Sequence, residues 1–173
     1  MRRLAASIGV GALSIVALLG WANAPTSQLP LGVKADKVVV TKSKHRLELL
    51  RGGQTIATYA VSLGRGSGGP KHRQGDGRTP EGIYTIDFHK RDSAFFRALH
   101  VSYPNSAERA RARALGVDPG GSIMVHGLPP KLAFVGRLQR SIDWTNGCIA
   151  LTNAEMQQVF DAVPDGAQIV IRP

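Results

Sequence analysis

The chain contains one cysteine, Cys148, and its neighbours make it the first residue to test for chemistry. It lies in Asp143-Trp144-Thr145-Asn146-Gly147-Cys148-Ile149-Ala150-Leu151. A glycine immediately before it lets the backbone approach a ligand closely, and the apolar residues after it predict a rigid element to hold it. A thiol of ordinary pKa is only a few per cent thiolate at neutral pH, so a nucleophilic role requires a base or a positive field. A cysteine also serves as a small buried hydrophobe; outside the cytoplasm, however, an unpaired thiol is exposed to oxidation, which favours a reactive role. His126 supplies the base. It ends the apolar run Ile123-Met124-Val125 and precedes Gly127, so its ring is placed at a strand end where it can face a cleft. A packed structural histidine is the competing reading.

The remaining polar residues carry weaker signals. His45 and His89 sit among basic residues and read as solvated; His100 falls within a strand and reads as packed; His72 lies in a glycine-rich loop within reach of a substrate. Asp76 and Arg78, in Gly-Asp-Gly-Arg, read as a turn or ion pair holding that loop, with substrate contact as the alternative, and Glu81 reads as a turn residue. The stretch GRGSGG at 64–69 lacks the lysine, the hydroxyl residue and the following helix of a phosphate-binding loop. Asp143 with His126 has no further carboxylate or histidine at metal-ligand spacing. A single cysteine excludes a disulfide framework and a cysteine-rich zinc site. No metal and no cofactor are expected.

These residues must be positioned by a small domain. With 173 residues and 18.5 kDa the chain suits one domain, and 43% hydrophobic with 20% charged residues suits a packed core. Twenty glycines and ten prolines favour a loop-rich β or α+β domain over a helical bundle. Strands are expected at Lys37 to Lys42, His45 to Arg51 and Gln54 to Leu63, the last two joined by a Gly52-Gly53 turn into an antiparallel meander. Residues 64–82 read as a long loop, a feature usually functional in a compact domain. Further strands are expected at Ile83 to Phe88, Leu99 to Tyr103, Ser122 to Val125 and Gln168 to Ile171. Asn105 to Leu115 predicts a basic helix capped by Asn105 or Ser106 and stopped by Gly116. Pro130 to Arg140 suits a helical turn. Asn153 is expected to cap an amphipathic helix over Ala154 to Val163, with Met156, Val159 and Phe160 on one face.

The first 24 residues read as an address. Arg2 and Arg3 form a basic start, Leu4 to Trp21 carry no charge, and Ala22-Asn23-Ala24 fits a small-x-small cleavage site. Pro25 is unfavourable just after such a cut, and the apolar run approaches the length that spans a bilayer. A cleaved signal peptide and a retained anchor are both open; each exports the domain to the periplasm or cell envelope. The expected division is therefore residues 1–24 as signal or anchor, 25–35 as linker and 36–173 as catalytic domain. The whole chain is at +10; Arg2 and Arg3 leave with the leader and no acid does, giving +8. Export excludes nucleic acid as a partner and points instead to an anionic envelope surface or to peptides with free carboxylates. Contact with a membrane is expected only through an uncleaved N-terminus.

Ile123-Met124-Val125-His126-Gly127 followed by Asp143 to Leu151 resembles the active-site signature of the L,D-transpeptidase (YkuD-type) catalytic domain. Lys71, Gly75-Asp76-Gly77-Arg78-Thr79-Pro80-Glu81-Gly82-Ile83-Tyr84 and Leu99-His100-Val101-Ser102-Tyr103-Pro104-Asn105 resemble further parts of that family, in the same order. The similarity runs from about Lys37 to Ile171. It implies a mostly β (α+β), β-sandwich-like domain with a few short helices, acting on peptidoglycan stem peptides. Carried over, Cys148 attacks the carbonyl of a diaminopimelate residue, D-alanine leaves, and the thioester passes to an amine, an envelope lipoprotein lysine or water. His126 is then the base, backbone N–H groups at Gly147 and Cys148 form the oxyanion hole, and an oxygen near Thr145 to Gly147 orients His126. Asn146, Thr145, Arg78, Lys71 and Tyr103 are the expected substrate-binding residues. Two positions depart from the common pattern. Asn146 replaces a second histidine, and Ala150 replaces an arginine, so either another cation (Arg78, Lys71 or Arg140 by position) serves in its place or the substrate differs. Asp143-Trp144-Thr145 resembles a subgroup that includes lipoprotein-releasing enzymes, so hydrolysis is the alternative to cross-linking. A non-catalytic wall-binding module is the third reading.

Overall fold

The computed structural model describes Ala17 and residues 20–173, so most of the expected leader lies outside the described residues. Eight strands form one sheet: β1 (Lys37–Thr41), β2 (Arg46–Arg51), β3 (Gln54–Ala60), β4 (Gly82–Ser93), β5 (Phe96–Val101), β6 (Met124–His126), β7 (Ile149–Ala150) and β8 (Gln168–Arg172). Their order is β3-β2-β1-β8-β4-β5-β6-β7. The expected meander is present as the antiparallel pairs β1–β2 and β2–β3. The last strand, β8, inserts between β1, to which it is parallel, and β4, to which it is antiparallel.

Alternation explains the sheet's inner face. Val38 and Val40 of β1, Leu47 and Leu49 of β2, and Ile169 and Ile171 of β8 are all buried in one core. Helices α1 (Ser106–Ala114) and α2 (Asn153–Ala162) accompany the sheet. Asn105 caps α1 in a capping box with Glu108. The cap of α2 is Thr152, one residue before the expected Asn153, because Glu155 at the third helical position completes a capping box with it. Met156, Val159 and Phe160 of α2 enter the core as the spacing requires.

The sandwich-like expectation is realised as one sheet curled on itself. The strand expected to run from Gln54 to Leu63 ends at Ala60; the chain continues into a bridge from Ser62 to Ala150 and another from Gly64 to Thr145. Those bridges tie the continuation of β3 to the far end of the sheet and close the curl beside the Gly147-Cys148 turn. Another difference is the hairpin of β4 and β5, which extends to Ser93 and Phe96, well past Phe88. The polar run at 89–93 carries no apolar period, and pairing with β5 extends β4 regardless. Pro130–Ser141 forms an arm of 3-10 turns that breaks at Gly136, where φ is +50°.

Candidate active site

β6 is the strand expected at Ser122 to Val125, shifted to Met124–His126, and its pleat decides what faces the cleft. Met124 and His126, two residues apart on β6, share one side; they line a cleft of about 370 Å³ together with Cys148 and with Ser122, which precedes the strand at φ +52°. β7 runs parallel to β6 with Val125 opposite Ile149 and His126 opposite Ala150. One step back in that register places Cys148 beside Met124, two residues from His126. Its Sγ lies 3.7 Å from the Ser122 carbonyl oxygen.

The turn before Cys148 is held by Thr145. The Gly147 N–H donates to Thr145 Oγ1 at 3.1 Å, and that hydroxyl donates to the Cys148 carbonyl at 2.7 Å. Gly147 has φ +125°, and a Cβ there would stand 2.6 Å from the Arg78 carbonyl oxygen, so glycine is required on two counts. With the Gly147 N–H directed at Thr145, the backbone N–H nearest the thiol on this turn is that of Cys148 itself.

His126 is buried at 4% exposure, and its Nδ1 lies 2.6 Å from the Gly127 carbonyl oxygen. That contact assigns the proton to Nδ1 and leaves Nε2 as the basic nitrogen. The orienting oxygen is thus the carbonyl of the next residue, not one from Thr145 to Gly147. Phe95 packs on the ring at 4.7 Å between centroids and Trp144 meets it edge-on at 5.8 Å. Trp144 is fixed in turn by donating Nε1–H to Gln139 Oε1 at 2.7 Å.

Burial pushes the His126 pKa down, with the Gly127 carbonyl opposing, and pushes the Cys148 thiol up. The Met124 N–H and the positive charge of Lys71 pull the thiol back toward ionisation. At rest the two groups are therefore a neutral imidazole and a thiol. Lys71 is itself buried, with its ammonium 2.8 Å from Asp76 Oδ1 and 3.0 Å from the Arg73 carbonyl. Burial pushes the Asp76 carboxyl up, but Lys71 and the backbone N–H groups of His72, Arg73 and Arg78 override it and hold it well below the usual carboxylate range.

A second cleft, about 470 Å³, adjoins the first; Arg65, Lys71, Gln74 and Gly120 line it, and it shares Ser122 and Asn146 with the first. Of the residues expected from sequence, Cys148, His126, Thr145 and Asn146 come together in the first cleft, and Lys71 and Asn146 line the second. Gly147 forms the turn beneath the thiol. Arg78 lines neither cleft; its backbone supports Gly147 and Asp76. Tyr103 is buried, donates its hydroxyl to the Pro119 carbonyl at 3.0 Å and packs edge-on to Tyr84. Arg140 pairs with Glu155 on α2. Position 150 is fully buried, its carbonyl accepting from Ser62 and Gln139. No sequence signal singles out Phe95 or Arg65, and Met124 and Ser122 read only as strand residues beside His126; the curl of the sheet places all four here. Among the described residues, no group of three His, Cys, Asp or Glu side chains is arranged to hold a metal ion.

A profile of the L,D-transpeptidase catalytic domain (YkuD) matches residues 35–171. The chain belongs to this L,D-transpeptidase family. YafK of Escherichia coli strain K12, which carries an L,D-transpeptidase name, is 26% identical over 187 aligned positions, covering 100% of this chain and 68% of YafK. YqjB of Bacillus subtilis strain 168, named likewise, is 24% identical over 138 positions, covering 78% of this chain and 69% of its own. Among solved structures, the helical cell shape determining protein Pgp2 of Campylobacter jejuni superimposes with a TM-score of 0.60 at 21% identity over 91% of this chain. The L,D-transpeptidase of Xylanimonas cellulosilytica superimposes with 0.53 at 18% over 82%. The chain spans 54% and 62% of those two solved chains, and the likeness shows the shared fold.

Proposed function

We propose that this L,D-transpeptidase domain is a cysteine acyltransferase acting on peptidoglycan stem peptides in the cell envelope. The observation that carries the reading is the parallel β6–β7 pair, which sets Cys148 and the basic Nε2 of His126 in one cleft. As Cys148 attacks the diaminopimelate carbonyl, its proton passes to His126 Nε2 and the C–S bond forms. The Gly127 carbonyl stabilises the resulting imidazolium. The C–N bond then breaks, and D-alanine leaves with the proton from His126. In the second half the acceptor amine gives a proton to His126, attacks the thioester and expels the thiolate, which His126 reprotonates.

Lys71 takes the electrostatic role of the arginine absent at position 150. Its ammonium acts on the thiol through space, whereas position 150 carries no charge. The reading places the domain outside the cytoplasm, with stem peptides as the partner and an envelope lipoprotein as an alternative acceptor.

Hydrolysis by the same residues is the second reading, favoured by Asn146 in place of a second histidine and by the Asp143-Trp144-Thr145 run. Incubation with tetrapeptide muropeptides and an added amine separates the two by product mass. A transpeptidase releases D-alanine and yields the amine adduct; a hydrolase yields only the shortened stem. Persistence of both products in Cys148→Ala overturns the cysteine mechanism altogether.

A further inference from the structure

Ten large apolar side chains are conspicuously exposed among the described residues, and five of them fall in one region. Leu132, Phe134 and Leu138 lie on the Pro130–Ser141 arm, Ile142 follows it, and Trp21 belongs to the segment packed against it; each is between 48% and 68% exposed. The remaining five are scattered over β4, the β4–β5 turn, the end of α1 and position 31. A cluster of this kind on an otherwise charged surface marks an interaction site.

The chain itself indicates the occupant. Ala22 is buried against the arm, and a Cβ at Gly136 would run into its carbonyl. The Arg137 guanidinium lies 5.1 Å from the Trp21 ring centroid and donates to the Ala24 carbonyl at 2.7 Å. Trp21, the last residue of the uncharged stretch, and Ala22 after it therefore meet the folded domain at this arm. Beyond it, Glu155 accepts from the Thr26 N–H and hydroxyl at 3.1 and 2.8 Å, and Ser27 pairs with Thr58, so the connection is short and fastened. Between positions 130 and 142 the charged residues are Lys131, Arg137 and Arg140, all positive; Arg140 is neutralised by Glu155, which leaves Lys131 and Arg137 beside the apolar side chains. Exposed aromatic and aliphatic side chains flanked by basic ones suit an interface with anionic lipid.

We propose that the 130–142 arm and Trp21 form a membrane-seating surface, which holds the domain against the anionic bilayer that the retained leader enters. Arg2 and Arg3 at the start of the leader set the orientation, with the domain on the outer face. Seating also fixes the site. Gln139 of the arm holds Trp144 in the cleft and reaches the Ala150 carbonyl, so the cleft is presented at a constant height above the lipid.

The test uses the full chain reconstituted into vesicles of phosphatidylethanolamine and phosphatidylglycerol containing a trace of diazirine-tailed phospholipid. After irradiation, adducts are mapped by mass spectrometry. The expected result is adducts on 132–142 as well as on the leader, falling at least fivefold on the arm in Leu132→Ser/Phe134→Ser/Leu138→Ser while the leader adducts persist. Exchange of phosphatidylglycerol for phosphatidylcholine lowers the arm adducts severalfold. Phe134→Ser alone gives a smaller loss and guards against misfolding of the triple variant, and turnover of soluble muropeptide is unchanged in both. Adducts confined to the leader overturn the proposal. So do cross-links between two copies through Phe134, and so does recovery from the envelope of a chain beginning at Pro25.

Discussion

At the scale of residues, the site contains a cysteine and a histidine that burial keeps neutral. Neutral His126 is the competent base, and its pKa is pushed below the ordinary imidazole value, near 6.5. The acid limb of kcat/KM against pH is therefore expected to inflect below about 6.5; an inflection above that value contradicts the assignment. His126→Asn should lower kcat by about 10²- to 10⁴-fold, the usual worth of a positioned base. Lys71→Met removes the charge that favours thiolate, so the pH profile of iodoacetamide alkylation at Cys148 should move to higher pH. The alkylation rate at pH 8 is expected to fall about threefold to tenfold, the effect of half to one pKa unit. A thiol inert in the wild type would instead support a non-catalytic wall-binding module. Gly147→Ala meets both a forbidden φ and a backbone carbonyl, and should cost about 2–3 kcal/mol in urea unfolding.

At the scale of elements, the short strands β6 and β7 do the positioning, and α2 secures what surrounds them. Glu155 on α2 is fully buried. Burial pushes its carboxyl up, yet the pairing with Arg140 and the hydrogen bonds from Thr26 bring it below the ordinary value. One carboxylate thus joins the arm, the cap of α2 and the segment after the expected leader. Glu155→Gln leaves Arg140 without its ion and is expected to destabilise by about 3 kcal/mol. Hydrogen exchange should quicken at Thr26 in that variant; unchanged protection there would show that the segment is held by other contacts. Thr152, the cap, explains why the helix starts where it does: Asn153 was the better cap by composition, but its side chain accepts instead from the Leu128 N–H at 2.7 Å, beside the site.

At the scale of the whole molecule, these shifts set how stability varies with pH. The folded-state pKa values of Asp76 and Glu155 lie below their unfolded values, so their contribution is complete above about pH 4–5 and is lost as pH falls through the folded values. His126 is depressed as well: below about pH 6.5 the unfolded chain takes up a proton that the fold refuses, and stability begins to decline there. Cys148 is raised, so above about pH 8.5 the unfolded chain releases a proton that the fold retains, and stability declines again. Tm is expected to be highest between those limits. Cys148→Ala should flatten the alkaline decline and His126→Asn the shoulder just below pH 6.5; calorimetry across pH checks both.

The sequence alone determined the strand-rich class, the meander, the two helices and the candidate nucleophile and base. Each follows from local rules: a β-branched run in Val38 to Thr41, caps at α1 and α2, and a lone thiol after a glycine. The tertiary structure decided the rest. The register of β6 on β7, the departure of Val61 to Gly64 from β3 and the burial of Lys71 depend on pairings between distant segments, which no local pattern encodes. The same closure leaves Arg78 and Tyr103 outside the two clefts and pairs Arg140 with Glu155. It assigns the orienting oxygen to Gly127 and brings Trp21 and Ala22 against the arm that carries Leu132, Phe134 and Leu138. In the linear chain those are ordinary apolar positions; the contact between residues 21–22 and the arm, more than a hundred positions apart, depends on the fold.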